Sequence, residues 1–181
     1  MSSSPNISRL LLIGDSLIEY GDWAKLLPGR EVVNLGRSGE SVEELRERAG
    51  NIVKRQPPPD LVLIMIGTNN VAMQHFEFLA PYRDILTIFR TAWPEAVPVV
   101  NSLLPMDLYY LAPETLPRLN DHLRALASEG KALYLDAWRA MVDQHGQVLP
   151  GVLEDEVHLT AWGYRLWGAA LGELLTRRED Q

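Results

Sequence analysis

The chain has 181 residues, 46% apolar and 23% charged, with a formal net charge of −7. That length suits one domain, spanning residues 1–181, around one core, and the composition excludes a disordered, collagenous or coiled-coil chain. The acidic balance argues against a nucleic-acid partner, which wants clustered Lys and Arg, and the absence of cysteine removes disulfides, thiolate metal sites and a Cys nucleophile.

The first apolar run, Leu10 to Ile13, ends at Gly14. It is too short for a signal-peptide core or a membrane span, and it leads directly into Gly14-Asp15-Ser16, so a cytoplasmic protein with no membrane span is expected. A second run, Glu31 to Leu35, ends at Gly36, and a third, Leu61 to Ile66, ends at Gly67. Val97 to Leu104 and Ala132 to Leu135 are the fourth and fifth. Near-continuous apolar runs of this kind suit strands buried on both faces of a parallel sheet.

Helical patterns lie between the runs. Ser41-Val42-Glu43-Glu44 has the form of a capping box, followed by Val42, Leu45, Ala49, Ile52 and Val53 at helical spacing and then by Pro57-Pro58-Pro59. Pro81 can start a helix that turns Ile85, Leu86, Ile88 and Phe89 inward. Two more helices are expected, from Leu116 to Ser128 and from Thr160 to about Arg177. Alternating strands and helices predict an α/β fold, three layers in α/β/α order with a five-stranded parallel sheet, and chemistry gathered at the carboxyl ends of the strands.

Those ends carry Asp15-Ser16, Gly36, Thr68-Asn69-Asn70 and Asp136. A serine just past a buried strand presents its hydroxyl at the sheet edge, although Asp-Ser is also an ordinary helix-capping pair. Asn69 can donate a side-chain hydrogen bond to a developing oxyanion, although Gly-Thr-Asn-Asn is also turn-forming. In Asp155-Glu156-Val157-His158 an acid three residues ahead of a histidine can fold back onto one ring nitrogen and leave the other to take a serine proton. The same residues also suit a solvated loop. His75, His122 and His145 lack such a neighbour and are taken as structural or exposed.

Taken together, in this order, the blocks resemble those of the GDSL, or SGNH, hydrolases. Gly14-Asp15-Ser16-Leu17 matches that family's naming motif, and the resemblance runs from there to His158. It implies a flavodoxin-like SGNH hydrolase fold and a serine esterase acting on carboxylic acyl esters, acetyl or short-chain, with lysophospholipids and thioesters as alternatives. Ser16, Asp155 and His158 would be the catalytic triad, and Ser16, Gly36 and Asn69 the oxyanion hole. Acyl transfer of this kind needs no metal or organic cofactor, so the implied partner is a small-molecule acyl ester. One position departs from the pattern, where Asn70 replaces the usual Asp of Gly-Thr-Asn-Asp.

Asp15 and Leu17 flank the serine, and Met106, Tyr109 and Tyr110 lie in the Pro-rich apolar stretch after the fourth strand. With Trp162, one turn past His158, they are the candidates to touch substrate. The aromatic stretch equally suits a cover over the sheet end or a contact with a second copy, which leaves a homodimer open. Trp167 reads as core. A non-catalytic binding protein on this fold, a phosphate binder and a phosphoryl-transfer enzyme are the rival classes. Neither G-x-G-x-x-G nor G-x-x-x-x-G-K-[ST] occurs, and Asp136 alone could support Asp15 in phosphoryl transfer.

Overall fold

The computed structural model describes residues 7–180. Five parallel strands, β1 (Arg9–Gly14), β2 (Glu31–Gly36), β3 (Leu61–Met65), β4 (Val97–Asn101) and β5 (Leu133–Leu135), form one sheet in the order β2-β1-β3-β4-β5. Leu10 pairs with Val32 on one side and Leu61 on the other, so β1 is hydrogen-bonded along both edges and buried on both faces. This is why its side chains are apolar without alternation.

Pleating sends Leu11, Ile13, Val62 and Ile64 to one face, where they meet α3 (Val42–Arg55), α5 (Leu79–Ala92) and α6 (Thr115–Glu129). Leu10, Leu12, Leu61 and Leu63 face the other layer, which holds α7 (Ala161–Glu179) and the short α2 (Trp23–Leu26). The three-layer α/β/α expectation therefore holds. Trp167 is fully buried in the second layer and donates through Nε1 to Asn101 Oδ1 at 2.9 Å. No helix among the described residues is long and apolar enough to cross a membrane.

Local chemistry sets the boundaries. The capping box at Ser41 is formed in both directions, with Ser41 Oγ accepting from Glu44 N and Glu44 Oε2 accepting from Ser41 N. Thr160 caps α7 through its hydroxyl, which accepts from the N–H groups of Trp162 and Gly163. Helix α5 starts at Leu79, two residues ahead of Pro81, because proline is tolerated throughout a first turn whose N–H groups lack helical partners. Strand β4 stops at Asn101 rather than at Leu104. Past it, Leu103 N donates to Asn120 Oδ1, so a side chain replaces the ladder while Leu103 and Leu104 stay buried. Two further short helices, α1 (Ser16–Glu19) and α4 (Thr68–Ala72), follow β1 and β3 directly.

Candidate active site

In the strand order the chain reverses between β1 and β3, and a crevice opens there beyond their carboxyl ends. Helices α1 and α4 begin at these two ends, so Ser16 and Asn69 come to the crevice from adjacent strands. Helix α1 is only four residues long and could not persist alone. Its carbonyls are held from outside: Leu17 O accepts from Tyr164 Oη at 2.9 Å, Ile18 O from Trp23 Nε1 at 2.7 Å and Asn34 Nδ2 at 2.9 Å, and Glu19 O from Asn34 Nδ2 at 3.1 Å. Its amino end is capped by Asp15 Oδ1, which accepts from Leu17 N at 3.0 Å. Three elements thus fix the turn that carries Ser16.

The histidine arrives from the opposite end of the chain. Asp155 Oδ1 accepts from the N–H groups of Val157 and His158, at 2.8 and 2.7 Å, closing a tight turn. Its Oδ2 lies 2.8 Å from His158 Nδ1. Those two backbone N–H groups and the imidazole hold the Asp155 carboxyl down to a pKa of about 2. An ionised carboxylate only accepts, so Nδ1 carries the proton and Nε2 presents its lone pair. Nε2 lies 3.3 Å from Ser16 Oγ, a long hydrogen bond of the kind seen before substrate arrives. Tyr20, which follows α1, leans on the imidazole with ring centroids 5.7 Å apart. The turn is tied to the segment after β4, where Asp107 N donates to Glu156 O at 2.8 Å.

On the other side of Ser16 one expectation needs correcting. Gly36 is the last residue of β2, its N–H donates to Asn34 Oδ1 at 2.9 Å, and a Cβ there would stand 2.2 Å from Glu19 N. Gly36 is therefore a close-packing glycine beneath α1, with its N–H already engaged. Gly39, three residues on, has φ of 77° and open space around it. Its N–H finds no hydrogen-bond acceptor among the described residues, and the same holds for Ser16 N–H. Next to it, Glu40 O accepts from Asn69 Nδ2 at 2.9 Å, which orients that amide and leaves its second hydrogen unclaimed.

Asn70 has a definite task. Its Oδ1 accepts from Val42 N at 2.9 Å and its Nδ2 donates to Glu43 Oε2 at 2.8 Å, both at the start of α3. An Asp could make only the first bond, so the departure from Gly-Thr-Asn-Asp is matched by the acid at position 43.

The expected substrate contacts fare less well. Asp15 and Leu17 are fully buried, beyond the reach of a ligand, because they belong to the cap and the core of the α1 turn. Burial pushes the Asp15 carboxyl up to about 6. Thr68 faces this carboxylate with its hydroxyl and N–H and favours the charge, yet Oδ2 has no aligned hydrogen-bond partner. Met106 packs into the α3-α5-α6 core and lines a separate cleft with Trp138. Tyr109 is 94% exposed, and Tyr110 is tethered by its hydroxyl to Ala72 O at 2.6 Å. Trp162 points to solvent beneath Arg165. None of these four lines the cleft beside His158, a space of about 810 Å³ bordered by Tyr20, Lys25, Leu26, Tyr164 and Arg165. Only Tyr20 had a sequence cue, lying one turn after the serine. Asp136 pairs with Arg124, and His75, His122 and His145 are exposed.

Fold and site together define a class: a doubly wound α/β protein with a serine, a histidine and an aspartate in hydrogen-bond sequence at the switch point of its sheet. Within it, residues 12–166 match the GDSL-like lipase/acylhydrolase family, and the chain belongs to that family. The Bos taurus platelet-activating factor acetylhydrolase IB subunit alpha1 is 29% identical over 178 residues, covering 93% of this chain and 75% of the relative. A Streptococcus pneumonia protein provisionally described as a platelet activating factor superposes with a TM-score of 0.83 at 25% identity, over 94% of this chain and 84% of the other. A variant of an acetyl xylan esterase from Geobacillus stearothermophilus shares the fold, with a TM-score of 0.78 at 21% identity over 93% and 94% of the two chains.

Proposed function

We propose that this family member is a serine esterase of acetyl or short-chain acyl esters. The observation that carries the reading is the run Asp155 Oδ2, His158 Nδ1, His158 Nε2, Ser16 Oγ, with separations of 2.8 and 3.3 Å across its two contacts. As Ser16 Oγ bonds to the ester carbonyl carbon, its proton passes to His158 Nε2. Asp155, still ionised, steadies the imidazolium. The carbonyl oxygen becomes an oxyanion, and the donors free to meet it are Ser16 N–H, Gly39 N–H and the second amide hydrogen of Asn69. The bond to the alcohol oxygen then breaks as His158 returns its proton to that oxygen. Water attacks the acyl-Ser16 ester, His158 takes a proton from it, and collapse releases the acid and restores the Ser16 hydroxyl.

Because His158 must protonate the leaving oxygen, the alcohol lies on its side of the site, and the cleft beside it offers room for that group. A short acyl group is favoured because Met106, Tyr109 and Tyr110 do not converge into a pocket for a long one. Two similar proteins are named for acetyl esters, a platelet-activating factor acetylhydrolase and an acetyl xylan esterase, which supports the same choice. A cytoplasmic location remains part of this proposal, and cell fractionation tests it. Turnover of p-nitrophenyl esters from acetate to decanoate is the test of activity. The expected result is hydrolysis that falls with chain length and disappears in a folded Ser16→Ala variant. Hydrolysis that survives Ser16→Ala, or no labelling of Ser16 by a fluorophosphonate, would overturn the reading.

A further inference from the structure

We propose that Arg48 is a positioning residue for the oxyanion side of the site, an inference that rests on the acyl-transfer reading above. Arg48 lies on α3 and touches neither Ser16 nor His158. Its guanidinium grips the Glu40 carboxylate with two bonds, Nε to Oε1 and Nη2 to Oε2, the latter at 2.6 Å. The same Nη2 donates to Leu35 O at 2.8 Å. Leu35 is near the end of β2 and Glu40 immediately precedes the cap of α3. One side chain thus ties together the two ends of the loop that carries Gly39.

The loop needs this tie. Arg37, Ser38 and Gly39 are exposed and contribute nothing to either core. Its tip is held by Ser38, whose N–H and hydroxyl both donate to Glu19 Oε2. Its far end depends on Glu40, which is 2% exposed. A carboxylate so deeply buried is tolerated only when paired. Without Arg48 the Glu40 side chain gains by turning toward water, and its backbone turns with it. Two oxyanion donors then lose their setting. The Asn69 amide loses the carbonyl that orients it, and the Gly39 N–H shifts with the adjoining peptide. Lysine cannot substitute fully, because a single ammonium does not offer a planar fork together with a third donor aimed at Leu35 O.

Arg48→Met, Arg48→Lys and Glu40→Gln, each checked for native circular dichroism, test the idea. On p-nitrophenyl acetate, kcat is expected to fall about 10–100-fold in Arg48→Met with KM within about twofold, since the lost interaction belongs to the transition state. Arg48→Lys and Glu40→Gln should fall between this variant and wild type, and they carry the test if Arg48→Met does not fold. In an Asn69→Ala background the Arg48→Met loss should shrink, because the part that acts through the Asn69 amide is already gone and only the part that acts through Gly39 remains. A residue serving stability alone would lower the melting temperature and leave kcat and this coupling unmoved. An Arg48→Met kcat within about twofold of wild type, or an equal loss in both backgrounds, overturns the proposal.

A readout without turnover separates this inference from the esterase reading. The Asn69 side-chain amide signal in a nitrogen-15 correlation spectrum, assigned by its loss in Asn69→Ala, should shift or broaden in Arg48→Met and Glu40→Gln. An unmoved signal counts against Arg48 even if the enzyme is active. A moved signal in a protein that hydrolyses no ester leaves the placement of Asn69 by Arg48 standing while the esterase reading fails.

Discussion

Replacing Asp15 by asparagine removes a buried charge one residue ahead of the serine while keeping the atom that caps α1. The folded carboxyl holds its proton up to about pH 6, against an ordinary value of 3.8. Between those values the folded state binds more protons than the unfolded chain, so stability falls as pH rises through this window. The difference corresponds to about 3 kcal/mol, fully present as a penalty above pH 6 and absent below 3.8. In the variant, the side-chain carbonyl oxygen can still accept from Leu17 N, and the amide nitrogen replaces the carboxylate oxygen that lacks an aligned partner. Relative to wild type, Asp15→Asn is therefore expected to be about 2–3 kcal/mol more favourable at about pH 8 than at about pH 4, on top of a pH-independent cost for turning an amide donor toward the Thr68 N–H. Urea unfolding at the two pH values measures it, with an unchanged slope showing that the unfolded state is unaffected. A difference between variant and wild type that is the same at both pH values would refute the claim that desolvation dominates at Asp15.

Asn70→Asp should destabilise the fold by about 2–3 kcal/mol at neutral pH, because it sets a carboxylate against Glu43 and loses a buried hydrogen bond. Glu43→Gln in the same chain should recover most of that loss in a denaturant titration. Asp155→Asn should lower kcat between about 100-fold and about 10⁴-fold by freeing the imidazole to adopt the wrong tautomer, with steady-state kinetics as the check. Gly36→Ala should fail to fold or lose more than about 4 kcal/mol, since its Cβ meets the Glu19 backbone. Gly39→Ala meets only the left-handed φ, at about 1–2 kcal/mol, and its cost appears chiefly in kcat. Tyr20→Ala should raise KM about 2–10-fold for acetates of bulky alcohols while leaving the acyl-length profile intact, which a matrix of leaving groups and acyl groups would show.

How much of this was legible beforehand depended on whether a residue's role is set by its neighbours in sequence or in space. Strands β1 and β3 are legible almost to their ends because burial on both faces writes itself as unbroken apolar runs. The Asp155–His158 turn was equally open to reading, since its bonds span three residues. The apolar run through Leu104 overextends β4 because Leu103 and Leu104 are as buried as the strand, while the bond that replaces the ladder goes to Asn120 on α6. The short helices α1 and α4 left no periodic pattern at four and five residues.

Gly36 and Gly39 show the limit most sharply. In Gly-Arg-Ser-Gly the two glycines are indistinguishable as letters, and each is required for a different physical reason. One has no room for a Cβ against the Glu19 backbone, and the other needs a left-handed φ with its N–H unclaimed. Only the packing of β2 under α1 separates them. The residues that hold the site together were hidden in the same way. Asn34, Trp23 and Tyr164 hold α1 by its carbonyls, and Arg48 holds Glu40 from eight positions away. Each acts on another residue of the chain, by a backbone carbonyl or, for Glu40, by its carboxylate, so its chemistry carries no signature of its own. A serine at the end of a strand becomes a candidate nucleophile through such neighbours, which fix a four-residue helix that its own sequence could not sustain.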